Sequence, residues 1–248
     1  MDTKIYGKNT VVFDLLESTN KKMIEDLNNN ISLEEGSVYI ALKQTAGKGS
    51  YGNNWQSNNN LGLWFSILLY SPYKKEILSF LPSIALSKCL IEEYDIDAHI
   101  KWPNDVLIGK ENKKISGTLI QSTTINNKNA CVIGTGVNLY HKKEDFSLDI
   151  QYKATSLYIE CGEKVIFESF YKNLMKYFED IYTSDKSLIH YFYKYSKMIG
   201  KKIKAKKDNE YIEAIVIGVT EEGYLKVEVN DKIDIWISRA SLDIDTSY

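Results

Sequence analysis

Apolar positions recur with two different periods along this chain. Residues 10–16, TVVFDLL, read as a strand. STNKKMIEDLNNN then reads as a short helix with Met23, Ile24 and Leu27 on one face and Ser18, Thr19 or Asn20 as its cap. SVYIALK predicts a second strand and LGLWFSILLY a third, ended by Pro72. KEILSFLPSIALSKCLIEEY carries Ile77, Leu81, Ile84, Ala85 and Ile91 at helical spacing, which requires Pro82 to lie in the first turn. AHIKW, VLIG, KISGTLIQS and NACVIGTGVNL are extended segments separated by Asn, Gly and Lys turns, a meander. The helical period returns through Ile166, Phe170, Leu174, Tyr177 and Ile181, and a further helix is expected over residues 187–197. From residue 198 the texture changes to short strands, KKIKAKK, EYIEAIVIGV, YLKVEV and KIDIWIS, with turn signals at Asp208–Asn209, Glu222–Gly223 and Asn230–Asp231. This order predicts an α+β domain over residues 1–197 and a small β-barrel over 198–248.

Length and composition narrow the function. With 248 residues, 44% of them hydrophobic, the chain can bury one sizeable core with a small appendage. A net charge of −2 argues against a protein that must neutralise a run of backbone phosphates, so nucleic acid is not expected as a main partner. Cys89, Cys131 and Cys161 lie far apart and form no C-x-x-C pair, which suggests neither a disulfide framework nor a zinc site. The N-terminus lacks the layout of a signal peptide and no apolar run is long enough for a bilayer, so a soluble cytoplasmic protein without membrane partners is expected. His99, His141 and His190 are scattered, each read most simply as a surface or satisfied histidine, and no G-x-S-x-G elbow is present. The charged residues of the helix at 163–182 read as its solvated face.

Four stretches concentrate glycine, lysine and asparagine at strand ends. QTAGKGSYGNNW, residues 44–55, has the spacing G-x-G-x-x-G at Gly47, Gly49 and Gly52. It leads into a strand instead of a helix, however, which makes it weak evidence for a dinucleotide. It also lacks the first glycine of a P-loop. KWPND, residues 101–105, predicts an extended Trp102 before Pro103 and a turn at Asn104–Asp105. Lys114 opens KISG, with Gly117 inside a strand, and VIGTGVNL places Gly134 and Gly136 before Asn138. A glycine within a strand marks either a bulge or a close approach.

ESTN at 17–20, QTAGKGSYGNNW, KWPND, KISG and VIGTGVNL occur in the order and approximate spacing of the biotin protein ligases, which the chain resembles from about Phe13 to Leu157. The resemblance implies a mixed β-sheet flanked by helices, of the kind found in class II aminoacyl-tRNA synthetases and in biotin and lipoate ligases, followed by an SH3-like barrel. It implies a two-step reaction with biotin, ATP and Mg2+: formation of biotinyl-5′-AMP, then transfer to one lysine of a biotin carboxyl carrier protein domain. Carried over by motif, Ser18, Thr19, Asn20 and Gln44 would meet biotin. Gly47, Lys48, Gly49 and Ser50 would close over the carboxyl and phosphate region. Lys114 would reach the reacting oxygens and is the leading catalytic candidate, with Lys48 and Lys101 beside it. Lys101, Asn104 and Asn138 would hold ATP and its magnesium, with no direct tight metal site, while Gly117, Gly134 and Gly136 would allow close backbone approach. Trp55 and Trp64 are candidates for an apolar wall, with core packing the alternative for each.

Two departures qualify the resemblance. Lys48, Ser50 and Tyr51 stand where many members carry arginines, which predicts weaker retention of the adenylate. Ala214 and Val216 stand in the C-terminal strands where glycine-containing forms are common. ESTN begins at residue 17, which leaves too little chain before it for a helix-turn-helix, so a ligase without DNA binding is expected. The resemblance also allows a homodimer through the edge of the central sheet. A lipoate ligase or transferase of the same fold and a non-catalytic biotin-binding protein are the alternatives.

Overall fold

The computed structural model describes residues 3–57, 59–70, 75–125, 128–207, 210–236 and 241–243. Pro72, the Asp208–Asn209 turn, Asn58, the Tyr51 side chain and the end of KIDIWIS lie outside the described atoms.

The strands predicted from the alternating runs all form. β1 (Thr10–Leu16), β2 (Val38–Gln44), β3 (Gly62–Tyr70), β4 (Ala98–Lys101), β5 (Asp105–Ile108), β6 (Lys113–Ile125) and β7 (Lys128–Asn138) make one sheet in the order β1-β2-β3-β7-β6-β5-β4. Only β1 and β2 run parallel, connected through helix α1 (Thr19–Asn28); the other neighbours are antiparallel, so the sheet is mixed. β3 is buried along nearly its whole length because both of its faces are covered. On one side, Met23 and Leu27 of α1 pack with Tyr39, Leu68, Ala130 and Val132. On the other lies the main core, to which the sheet contributes Leu63, Ile67, Cys131 and Ile133.

The segment at 75–94 divides at Ser79 into α2 (Lys75–Leu78) and α3 (Phe80–Tyr94), and Pro82 falls in the first turn of α3, where its missing N–H is harmless. Ile91, assigned to the buried face by its spacing, is instead exposed. The short α4 (Leu157–Cys161) carries no periodic signal in five residues; Ser156 caps it, and Gly162 ends it in the left-handed region. α5 (Phe167–Tyr182) buries Phe170, Leu174, Tyr177 and Ile181 as its spacing predicts, but Ile166 is the exposed N-cap. One residue of its charged face is not simply solvated. The Glu179 carboxylate accepts the backbone N–H groups of Lys4, Ile5 and Tyr6, and so ties down the N-terminal segment. α6 (Leu188–Tyr195) follows, with Phe192 stacked on Phe80 at 4.5 Å.

β8 (Lys202–Lys207), β9 (Glu210–Val219), β10 (Leu225–Val229), β11 (Lys232–Trp236) and β12 (Ser241–Asp243) form a second, antiparallel sheet in the order β11-β10-β9-β8-β12, consistent with an SH3-like domain. Asn230 and Asp231 both adopt positive φ, 48° and 59°, as a two-residue hairpin turn between β10 and β11 requires. Ala214 and Val216 point into its core, which is continuous with that of the larger sheet. Among the described residues no helix is long and apolar enough to cross a membrane.

Candidate active site

A cavity of about 720 Å3 opens on the sheet face that carries α1, beyond the N-terminal end of that helix. Alternation along β7 explains its position. Ala130 and Val132 lie under α1, and the next residues on the same face are Gly134, Gly136 and Asn138, which line the cavity. The glycines leave room that side chains would fill.

Of the residues assigned by motif to the substrates, all but Gly47 line this cavity: Ser18, Thr19, Asn20, Gln44, Lys48, Gly49, Ser50, Lys101, Asn104, Lys114, Gly117, Gly134, Gly136 and Asn138. Gly47 stands behind the wall. A Cβ there would lie 2.2 Å from Ser57 Oγ and 2.8 Å from the Trp55 carbonyl, so its role is to let the loop fold back onto the segment at 55–57. At Gly134 and Gly136 the close approach that is permitted is one of protein side chains. A Cβ on Gly134 would meet Asn20 Oδ1 at 2.3 Å, and one on Gly136 would meet Trp55 Nε1 at 2.3 Å.

The ESTN motif builds a closed hydrogen-bond chain. Gln44 Oε1 accepts the backbone N–H of Thr19 at 2.8 Å, and Gln44 Nε2 donates to Ser57 Oγ at 3.1 Å. Ser66 Oγ lies 2.7 Å from Thr19 Oγ1 and 2.6 Å from Asn20 Oδ1. Asn20 Nδ2 donates to the Leu119 carbonyl and to Gln121 Oε1. The Asn20 amide is therefore engaged on both its oxygen and its nitrogen, which makes it a fixed part of the wall. Ser18 is the N-cap of α1 by backbone geometry, yet its side chain makes no capping bond.

KWPND forms a tight connection between β4 and β5, with a cis Trp102–Pro103 peptide. Asn104 is pinned to β6: its carbonyl accepts Thr118 N–H at 3.1 Å, and its Nδ2 donates to the Thr118 carbonyl and, at 2.9 Å, to Ser50 Oγ in the glycine loop. Asp105 begins β5, where its carboxylate pairs with Lys114 Nζ at 2.7 Å. Lys114 is held through its backbone as well, by Lys153 and Thr155 of the segment before α4. Its ammonium also stands 5.3 Å from the centre of the Trp55 ring, within cation–π range. Asn138 Nδ2 donates to the Thr155 carbonyl at 3.0 Å. Asn104 thus spends its amide N–H groups on a carbonyl and a hydroxyl, and Asn138 commits one to a carbonyl, while the amide oxygens remain groups they can offer a ligand.

The two tryptophans divide their roles. Trp55 lines the cavity, whereas Trp64 is core, 1% exposed, and supports Trp55 edge to face at 6.4 Å. Residues beyond the predicted set also line the cavity, notably Gln56, Asp105, Phe146, Asp149 and Lys153. Asp105 is the last residue of the KWPND motif and could have been found there. Gln56 directly follows the glycine-loop motif, whereas Phe146, Asp149 and Lys153 come from a segment without periodicity or motif, and only folding brings it to the site.

His141 departs from the surface or satisfied histidine expected. It is fully buried, neither ring nitrogen has a hydrogen-bond partner among the described residues, and it stacks on Phe146 at 4.8 Å and meets Trp64 at 5.9 Å. Burial pulls its pKa from 6.5 down to about 4. His99 is likewise buried and pulled down by burial, though Nε2 meets Asn112 Oδ1 at 2.7 Å. Among the described residues no cluster of three His, Cys, Asp or Glu could hold a metal ion.

The architecture and the cavity together define an acid-activating ligase of the biotin and lipoate type. The model of the biotin/lipoate A/B protein ligase family matches residues 12–138, and the chain belongs to that family. It is 31% identical over 245 residues to the bifunctional ligase/repressor BirA of Bacillus subtilis, covering 94% of this chain and 73% of that one. It is 26% identical to the human biotin–protein ligase, over 92% of this chain and 33% of that one. Among solved structures it is similar to a biotin protein ligase from Aquifex aeolicus in complex with biotin and ATP, with a TM-score of 0.79 and 25% identity over 96% of this chain and 99% of that one. It shares the fold of the Leishmania major biotin protein ligase in complex with biotinyl-5-AMP, with a TM-score of 0.63 at 19% identity over 93% and 99% of the two chains.

Proposed function

We propose that this chain is a biotin protein ligase that makes biotinyl-5′-AMP from biotin and ATP, and then transfers biotin to one lysine of a biotin carboxyl carrier protein domain. The observation that carries this reading is the Lys114–Asp105 pair at 2.7 Å, beside the Trp55 ring and against Gly117, in one cavity roomy enough for an acid and a nucleotide. In the first step a carboxylate oxygen of biotin bonds to the α-phosphorus of ATP while the bond to the β-phosphate oxygen breaks and pyrophosphate leaves. Two anions must meet for this, and a fixed ammonium at their meeting point offsets their repulsion. Lys114 has that role, with Lys48 and Lys101 placing further positive charge on the same wall. In the second step the neutral amine of the carrier lysine attacks the acyl carbon, AMP leaves and an amide forms.

Ser18, Thr19 and Gln44 are assigned to the polar end of biotin and Trp55 to its apolar body. Asn20 is assigned a supporting part, because its amide is already committed within the wall. Magnesium is assigned to arrive with the triphosphate, since a small hard cation keeps several waters and needs few protein oxygens. The amide oxygens of Asn104 and Asn138 are the groups that would face it, and the charge it supplies would ease departure of pyrophosphate.

The functional units are assigned as residues 1–197 and 198–248. A homodimer is proposed through β1, the sheet edge at which Val12 and Leu15 are exposed, and sedimentation reads it. With a net charge of −2 no nucleic-acid partner is assigned.

The test is biotin-dependent exchange of pyrophosphate into ATP, followed by transfer of biotin to a carrier domain. Exchange supported by lipoate in preference to biotin would move the assignment to the lipoate branch. Biotin binding without exchange would make the chain a non-catalytic binder.

A further inference from the structure

Gln56 follows the glycine loop directly, and its side chain bridges to a segment some ninety residues away in sequence. Its Nε2 donates to the Asp145 carbonyl at 2.6 Å, and its Oε1 accepts the backbone N–H of Ser147 at 3.2 Å. A planar amide with one donor and one acceptor thus reproduces what a peptide group does in a β-ladder, pairing with residues two apart on its neighbour. Both bonds require the same orientation of the amide. Rotating it by half a turn would place oxygen against carbonyl and N–H against N–H.

The residue between those two anchors is Phe146, whose ring turns inward, 5% exposed, and stacks on His141. Gln56 has Trp55 as its chain neighbour, and a row of rings continues from Trp55 to Trp64, His141 and Phe146 at 6.4, 5.9 and 4.8 Å. Consecutive residues of the loop therefore reach the same distant segment by two routes, one polar and one apolar. Trp55, Gln56, Phe146, Asp149 and Ile150 all line the cavity. Neither the glycine loop nor the 141–150 segment can shift without disturbing the other.

We propose that Gln56 is a positioning residue that latches the glycine loop to the 141–150 segment, so that closure over one substrate preorganises the site for the other. This rests on the ligase reading for the identity of the two substrates. The latch is reversible because one of its bonds is exposed and the other only part-buried. Two such bonds bias a closing equilibrium by roughly tenfold and do not lock it.

The test uses the full chain with Gln56→Leu, which keeps the bulk but removes both bonds, and Gln56→Glu, which keeps an acceptor for Ser147 and sets oxygen against the Asp145 carbonyl. Amide hydrogen exchange is followed without ligands in peptides covering residues 44–57 and 141–150. Both segments are expected to exchange faster by about tenfold in both variants, at an unchanged melting temperature. The affinity for biotin is then measured with and without a non-hydrolysable ATP analogue. The ratio of the two affinities is expected to fall towards one in both variants, an effect that mere loosening of the fold would not produce. Faster exchange confined to the glycine loop, or a ratio equal to that of the unmodified chain in either variant, would overturn the latch. If the unmodified chain binds no biotin under either condition, the ligase reading fails, while the exchange measurement still decides whether the two segments open together.

Discussion

The indole Nε1–H of Trp102 donates to the Gly223 carbonyl at 2.8 Å, across 121 residues of chain. The Trp102 backbone N–H is satisfied by Met198 Sδ at 3.0 Å, and the side chain is buried. Its neighbours Lys101, Pro103, Asn104 and Asp105 line the cavity. The second sheet therefore grips the back of the motif whose front faces the substrates.

Trp102→Phe keeps most of the bulk and deletes the donor. It is expected to lower unfolding stability by about 1–3 kcal/mol, the range for stranding a buried acceptor, and to reduce turnover as the KWPND connection loosens. Gly223→Ala should act in the same direction, because Gly223 holds φ at +91° and a Cβ there would lie 2.9 Å from Ile77 N. Urea denaturation read beside kcat checks both. An unchanged midpoint would show that the link contributes nothing to stability.

Lys114 and Asp105 are expected to separate chemistry from stability. The pair is partly exposed, so its loss should change stability by less than about 1 kcal/mol. Lys114→Ala is nevertheless expected to lower biotin-dependent pyrophosphate exchange by ~100-fold or more, the loss typical of removing a fixed group that stabilises developing charge. Asp105→Asn should lower kcat and spare the KM for biotin, since it releases the ammonium without emptying the pocket. Retention of full exchange by Lys114→Ala would remove that lysine from the mechanism.

Substitutions at two glycines of the site should differ sharply. Gly134→Ala drives a methyl group to 2.3 Å from Asn20 Oδ1, and Asn20 is anchored to Ser66, Leu119 and Gln121 and cannot yield. A loss of about 1–3 kcal/mol is expected. Gly49→Ala places its methyl no nearer than 3.6 Å to Asn53, at a φ of −99° that alanine adopts freely, and should stay within ~0.5 kcal/mol of the parent. Thermal denaturation of the two variants side by side provides the comparison, and equal losses would contradict the steric account.

His141 makes stability depend on pH. Its pKa in the folded chain is pulled to about 4, so the unfolded chain binds a proton first as pH falls. Above about pH 6.5 both states are neutral and this residue has no effect. Between there and about pH 4 stability is lost progressively, by up to roughly 3 kcal/mol, and below that the loss levels off. His141→Phe, which keeps a ring against Phe146 and Trp64, is expected to flatten this part of the pH profile. A profile identical to that of the unsubstituted chain would place the titration elsewhere.

Much of the fold was legible because the spacing of apolar residues along one segment reports its secondary structure, although at β1 those residues, Val11, Val12 and Leu15, are exposed. The strands from β1 to β7, the helix carrying Met23 and Leu27 and the long α5 each follow from the spacing of their own apolar residues. Spacing misled at Ile91 and Ile166, where an apolar residue continues the period past the surface that covers it. Ser18, Gln44, Lys48, Lys114 and Asn138 could be nominated as site residues because each stands in a short motif that resembles those of the biotin protein ligases. Their meeting in one cavity is a property of sheet order, which sets β7 between β3 and β6 and brings KWPND against KISG.

Local sequence determined the elements and the chemical types available to the site, because propensity, period and turn residues act over a few positions. Tertiary structure alone decided which partner fills the space above each glycine, that Trp55 faces the cavity while Trp64 supports it, that His141 is fully buried among rings, and that Gln56 and Trp102 each hold segments far apart in sequence. Those outcomes depend on packing between elements distant along the chain, where the contacting atoms of both partners must be known before either one's role can be read.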